Sequence, residues 1–362
     1  MNERIKEGIW QVFAWLVILA TVYCFYVNYN IALSSAKSMR PSVYTHQWQK
    51  AMYWVRDNTP KDAVFGHWWD YGYWVQSIGE RATMLDGGNA IGYWNYLMGR
   101  HVLTGESEEE AMEVLYNHDV TYFLIDSTEI GKYGAYSNIG SDENYDRFSQ
   151  IGTFVKDDSL SQETNSGINH IYRGGVLLDE DLITSLNGQE VFLPAQQSGV
   201  GAISVGYDSL KEDYVQPKII GVYQGKQYNI NLRYLFIEGE LKDFGSGYEG
   251  CAYVFPKISQ NQMDKTGVAM FLSERNMRAL WVRLYLLGMG ENFELVHSEQ
   301  SLIIEDLRNQ GVDVPEIIYH TQAGGILGPI KIWKINYIGN EKINEEYTRT
   351  TFPEEIAKRN LV

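Results

Sequence analysis

The segment Gly66-His67-Trp68-Trp69-Asp70-Tyr71-Gly72-Tyr73-Trp74 concentrates more chemistry than any other stretch of the chain. Trp68 and Trp69 each carry one indole N–H donor, and an ionised Asp70 offers only acceptors. Together the three satisfy one small hydroxyl completely, with two donors for its lone pairs and one acceptor for its proton. A site of that kind rejects an analogue lacking the hydroxyl, because its own buried polar groups are then left unpaired. Gly66 and Gly72 permit sharp turns at both ends. The competing expectation is an aromatic cluster that packs a core, and Tyr71, Tyr73 and Trp74 fit that description. Six of the ten Trp fall between Trp48 and Trp94, so the aromatic excess is local.

Other chemistry is sparse. The chain contains no G-x-S-x-G, H-E-x-x-H or G-x-x-x-x-G-K-[ST] pattern. The seven His are scattered singly, which favours surface or packed roles over metal ligation. Asp179-Glu180-Asp181 has the D-x-D pattern with which some glycosyltransferases hold a divalent metal, but its neighbours make a solvated charge run the better expectation. Two cysteines cannot build a disulfide framework. The formal net charge is −16, from 30 Lys+Arg against 46 Asp+Glu, with no basic run anywhere. That excludes a phosphate-tracking nucleic-acid binder.

The charge is unevenly distributed: residues 1–40 carry +2 and the remaining 322 residues −18. Ile9 to Val27 is an uncharged apolar stretch, and nineteen residues exceed the usual signal-peptide core of about 7–15. The expectation is a transmembrane helix with Trp10, Trp15, Tyr23, Tyr26 and Tyr29 near its ends. Basic residues are nearly balanced on its two sides, so the positive-inside rule decides little.

The rest reads as a mixed α/β core with a β-rich insertion. Residues 1–40 form the anchor and its flanks, and 41–150 an α/β core that holds the Trp-Trp-Asp segment. Residues 151–262 form a β-rich inserted domain, 263–338 return to the core, and 339–362 are a charged end. Within the core, Thr45 caps a helix through Trp48, Met52 and Val55. Ala90–Leu103 reads as a helix, Ser107 and Glu110 form a capping box, and Val120–Asp126 is a buried strand. Gln224-Gly225-Lys226 turns a hairpin in the insertion. A single helix is expected over 270–288, with Met277, Leu280, Trp281, Leu284 and Leu287 on one face.

Trp68-Trp69-Asp70-Tyr71-Gly72 resembles the WWDYG signature of the catalytic subunit of oligosaccharyltransferases. The apolar helix, Ser35-Ala36, Pro41-Ser42, Asn58-Thr59-Pro60, Asp86-Gly87-Gly88-Asn89 and Arg283-Leu284-Tyr285-Leu286 resemble the archaeal branch of that family, over residues 1–150 and 265–337. The resemblance implies transfer of a lipid-linked oligosaccharide, of dolichyl phosphate type, to Asn in Asn-x-Ser/Thr of an acceptor polypeptide. Trp68, Trp69 and Asp70 would grip the hydroxyl at the +2 position. A second family element on a nearby kinked helix takes either a D-x-x-K or an M-x-x-I form. The 270–288 stretch has no D-x-x-K, and Met277-x-x-Leu280-x-x-x-Leu284 resembles the second form. The same residues also suit a core at helical spacing. Mg2+ or Mn2+ is implied by the family, but its ligands and the donor site belong to a multi-span N-terminal domain, in cis or trans. This chain therefore reads as the last transmembrane helix plus a soluble domain on the extracytoplasmic side of a cell membrane. No catalytic or metal-binding residue is expected in it, and no glycan transfer by it alone. The rival expectation is a membrane-anchored, non-catalytic surface protein that binds glycans or mediates adhesion.

Overall fold

The computed structural model describes residues 3–38, 44–186, 188–260 and 262–357. Pro41-Ser42 and the last residues of the charged end lie outside the described residues. The chain divides into two compact units, Met1–Gln49 and Lys50–Val362.

The first unit is dominated by the helix Glu3–Ser38, which contains the apolar stretch expected to span a membrane. Its 36 residues make a rod of about 54 Å, longer than the roughly 30 Å of a hydrocarbon core. Trp10, Trp15 and Phe25 are all exposed, as on a helix that faces lipid on every side. Its polar side chains turn back on the helix, Thr21 Oγ1 to the Val17 carbonyl and Asn28 Nδ2 to that of Cys24, each at 2.8 Å. Among the described residues this is the one helix long and apolar enough to cross a membrane. Thr45 caps the next helix, His46–Asn58, as expected, with its Oγ1 accepting from Trp48 N.

The second unit is built on a five-stranded sheet in the order Phe293–Glu299, Ile330–Ile335, Tyr122–Ile125, Val64–Gly66 and Ala82–Thr83. The last three strands are parallel, with Phe65 opposite Tyr122 and Thr83. The other two join antiparallel from the far end of the sequence. Tyr122–Ile125 lies in the middle and is buried throughout, hence its unbroken apolar run. Because neighbouring parallel strands end on the same edge, the segments after Gly66, Thr83 and Ile125 emerge side by side. That edge holds the Trp-Trp-Asp segment.

Two helices back this edge. Gly92–Leu97 continues into a wider π turn over Met98–Leu103, and Glu129–Gly140 packs across it. The crossing needs two glycines. A Cβ on Gly99 would stand 2.5 Å from the Tyr136 carbonyl, and one on Gly140 would meet the backbone of Arg100. Ser107 caps the helix Glu108–Asn117, but Glu110 completes the box differently. Its carboxylate accepts from Glu106 N, His101 and Arg147 instead of its own cap.

The insertion is a closed barrel. Strands 226–237, 218–223, 199–208, 167–177, 152–156, 262–272 and 248–259 follow one another, and the first pairs back onto the last. Seven strands cannot close by antiparallel pairing alone, so one seam must be parallel. That seam is the pairing of Leu232 with Tyr248 and Phe236 with Tyr253. Phe154, Tyr172, Ile203, Ile219, Leu235 and Phe271 fill its interior. The hairpin expected at Gln224-Gly225-Lys226 turns on Gln224 and Gly225 alone, with φ of 48° and 76°, since Lys226 already pairs with Tyr223. Gly245-x-Gly247-x-x-Gly250 has a nucleotide-fingerprint spacing but leads into a strand, so it lacks the helix N-terminus that would take a pyrophosphate.

The single helix expected over 270–288 does not form. The barrel strand runs to Leu272, and two short helices follow, Glu274–Arg278 and Leu280–Tyr285, split at Ala279. Ala279 is extended, with ψ 130°. Two tertiary bonds hold the break: Leu280 N donates to the Gly105 carbonyl at 2.9 Å, and Asn276 Nδ2 to Ser149 Oγ at 2.8 Å.

The glycine crossing yields a prediction. Gly140→Ala should destabilise the protein by about 1–3 kcal/mol through overpacking. Gly131→Ala on the same helix, with open space around its Cα, should be neutral or stabilising by up to about 1 kcal/mol. Thermal unfolding of the two variants checks the contrast.

Candidate functional site

The Trp-Trp-Asp segment leaves the sheet at Gly66, is extended at Trp68, and coils into a 3-10 turn over Trp69–Tyr71. The helix Gly72–Ser77 follows. Gly72 is obligatory by packing, since a Cβ there would stand 2.5 Å from the Leu85 carbonyl and the Asp86 backbone. Asp86 in turn accepts from Gln76 Nε2 at 3.1 Å and from Gly88 N at 2.8 Å, which ties the second strand's exit to the first's.

Trp68 is buried against Tyr136, with ring centroids 5.7 Å apart, and Trp69 lies half-buried beside it at 6.1 Å. Among the described residues neither indole N–H meets an acceptor, although the Trp68 carbonyl is bonded by His67. Asp70 keeps a quarter of its side chain exposed, and its Oδ2 is paired with Lys132 Nζ at 2.6 Å. Lys132 also donates to Tyr71 OH at 3.1 Å, and that hydroxyl lies 3.0 Å from Thr128 Oγ1. The edge therefore presents two free donors and one free carboxylate oxygen, Oδ1, while Oδ2 is fixed from behind. Of the three further aromatics, Tyr71 is buried, Trp74 is half-buried and Tyr73 is exposed.

Lys132 lies on the helix Glu129–Gly140, which follows the neighbouring strand Tyr122–Ile125. Asp70 pairs with it, and Glu129 lies near enough to feel its charge. Glu129 is fully buried, and burial pushes its carboxyl well above the usual carboxylate range, reinforced by nearby Asp126. Its Oε2 accepts from Trp281 Nε1 at 2.8 Å. Burial likewise pulls His67 down to about 4. Its Nδ1 donates to the Trp68 carbonyl at 2.8 Å, so Nε2 is left as a buried acceptor.

Trp68, Trp69 and Asp70 are thus brought together. Trp281, the residue after Leu280, connects to Trp68 through a chain of rings, Trp281 to Tyr133, Tyr133 to Tyr136, and Tyr136 to Trp68. Met277 is half-buried, whereas Leu280 has no exposed surface. The break at Ala279 also removes the helical face they were expected to share. Lys132 and Glu129 did not enter the reading of the sequence. The available signal was Glu129-x-x-Lys132, an acid and a lysine at D-x-x-K spacing, but in the helix after the central strand instead of in 270–288.

Asp179-Glu180-Asp181 is solvated only in part, with Asp181 exposed and Asp179 and Glu180 half-buried. Asp179 is enclosed and accepts from Ser273 Oγ, Glu180 pairs with Arg278 at 3.0 Å, and Asp181 accepts from Ala195 N at 2.8 Å. The three carboxylates point to different partners and do not fit a shared ion. Among the described residues no group of three or more His, Cys, Asp or Glu is placed to hold a metal.

Glu129 sets a pH dependence. Its pKa is raised in the fold, so its contribution to stability is complete below the ordinary carboxylate value and is lost as pH rises toward the folded one. Glu129→Gln keeps an acceptor for Trp281 and removes the titration. The variant should gain stability over the parent at pH 8 more than at pH 4, read as the difference in Tm.

Residues 60–168 match the STT3/PglB/AglB core domain. Over 109 residues the chain is 36% identical to dolichyl-phosphooligosaccharide-protein glycotransferase 1 of Pyrococcus furiosus, covering 29% of this chain and 11% of that protein. Over 105 residues it is 32% identical to a dolichyl-diphosphooligosaccharide–protein glycosyltransferase subunit, STT3B, of Oryza sativa, covering 28% and 14%. The matched stretch is therefore a small part of either relative's length. Among solved structures, the Archaeoglobus fulgidus oligosaccharyltransferase in the apo form aligns with a TM-score of 0.42 at 14% identity, over 90% of this chain and 35% of that one. The C-terminal domain of C. jejuni PglB aligns with 0.39 at 9% identity, over 80% and 100%. Residues 60–168 thus match the core domain of the STT3/PglB/AglB family, and the chain is similar in part to oligosaccharyltransferase glycotransferase and glycosyltransferase subunits.

Proposed function

We propose that this chain is the acceptor-recognition part of a membrane oligosaccharyltransferase, which transfers a lipid-linked oligosaccharide to Asn in Asn-x-Ser/Thr. One observation carries the reading: two indole N–H groups without acceptors stand beside a carboxylate whose other oxygen is held by Lys132. The +2 hydroxyl accepts from Trp68 Nε1 and Trp69 Nε1 and donates to Asp70 Oδ1. Lys132 fixes the carboxylate's orientation, so little order remains to be imposed when the peptide arrives. Holding the +2 residue in this way restricts where the acceptor Asn can lie, which is a positioning contribution to the rate. Met277, half-buried, is the member of the Met277–Leu280 pair with surface to offer the threonine methyl.

In this reading the helix Glu3–Ser38 anchors the chain with its soluble part on the extracytoplasmic side. Mg2+ or Mn2+ and the dolichyl phosphate-type donor are bound by a multi-span N-terminal domain, in cis or trans. Among the described residues no group of three or more His, Cys, Asp or Glu is placed to hold that metal. The alternative, a non-catalytic surface glycan-binding or adhesion protein, is not favoured. The relatives that part of the chain matches are a glycotransferase and a glycosyltransferase subunit.

Two outcomes are expected. The purified chain, given donor and Mn2+, should glycosylate no Asn-x-Thr peptide, and product from it would overturn its dependence on a second domain. In the enzyme completed by that domain, replacing +2 Thr by isosteric Val should lower kcat/KM by at least about a hundredfold, since buried donors and an acceptor lose their partner. Trp69→Phe, which deletes one N–H but keeps a ring, should recover part of that selectivity gap. Equal handling of the Thr and Val peptides would contradict the hydroxyl grip.

A further inference from the structure

A cavity of about 560 Å3 opens in the second unit where the barrel meets the core sheet, and the Trp68–Asp70 site contributes nothing to its lining. Its wall is flat and apolar. Phe236 and Tyr253, paired across the parallel seam, stack with centroids 4.2 Å apart and planes 2° from parallel. Tyr253 is buried and Phe236 half-buried, so only the outer ring of the stack is available to a guest.

The floor is polar. Lys331, on the core strand Ile330–Ile335, is 8% exposed, with its ammonium 2.7 Å from Glu316 Oε2 and 5.4 Å from the centre of the Tyr285 ring. Glu238, Lys265 and Asp313 stand exposed at the rim. Three carboxylates and two ammonium groups nearly balance, so the cavity holds no strong field for a phosphate or a polycation. A lipid tail would strip water from Lys331 and Glu316 without replacing its hydrogen bonds. A pyranose ring meets both demands, with a C–H face for the aromatic wall and hydroxyl edges for the charged groups. The volume falls within the range of roughly 300–1,000 Å3 usual for small-molecule sites.

We propose that this cavity binds a neutral sugar ring, stacked on Phe236 and hydrogen-bonded by Glu238, Asp313 and the Lys331–Glu316 pair. The site is separate from the acceptor site and does not depend on the reading given to it.

The test is saturation-transfer NMR on the full chain in detergent micelles, with methyl β-D-glucopyranoside as the probe and erythritol and glucose 6-phosphate as comparisons. Transfer to the pyranoside ring protons is expected, with a Kd on the order of 1 mM. Phe236→Ala and the rim variant Glu238→Gln/Asp313→Asn should each weaken it by at least about tenfold, with thermal unfolding confirming that both variants fold. Asp70→Asn should leave it unchanged. Absence of transfer, equal transfer to erythritol, tighter binding of the phosphate, or loss in Asp70→Asn but not in Phe236→Ala would each overturn the proposal.

Discussion

Everything at the proposed acceptor site depends on the parallel pairing of Val64–Gly66 with Tyr122–Ile125. Two adjacent strands that end on one edge must release their following segments as neighbours. One segment carries Trp68, Trp69 and Asp70, and the other leads to Lys132, which closes on Asp70 at 2.6 Å. Gly72 lets the third exit, at Leu85 and Asp86, lie against the first, and the Gly99–Gly140 contact presses the Lys132 helix onto its neighbour. The sheet register, more than any local propensity, places the donors and the acceptor.

Burial decides which charges remain in this cluster. Asp70 pairs with Lys132, while desolvation raises the carboxyl of the buried Glu129, the hydrogen-bond partner of Trp281. Because that pair retains solvent exposure on both sides, its value lies in orientation more than in stability. Tyr71 contributes from beneath: its ring lies under the ammonium, 4.8 Å from it, and its hydroxyl bridges Lys132 and Thr128.

The strongest features were legible because they are local. The Trp-Trp-Asp triplet, the apolar N-terminal helix, the buried central strand and the Gln224-Gly225 turn each carry their cause in adjacent residues. Lys132 was not legible as a partner of Asp70, since the two meet only through sheet pairing; Lys132 and Tyr71, the residue after Asp70, are 61 positions apart. The break at Ala279 was hidden for a related reason. No Pro or Gly marks it, and bonds to Gly105 and Ser149 from distant parts of the chain hold it open. Asp179 looked like part of a surface charge run until the fold enclosed it beside Ser273. Barrel closure likewise depends on the number of strands, which no single hairpin signal reveals.

The most direct measurement of the central claim is the pair of indole N–H resonances of Trp68 and Trp69 in the 15N-labelled chain, assigned by Trp→Phe substitution. If both donate to the +2 hydroxyl, an Asn-Ala-Thr peptide should move both resonances downfield, and the isosteric Asn-Ala-Val peptide at the same concentration should move neither. Equal shifts with the two peptides, or shifts confined to other tryptophans, would contradict the account.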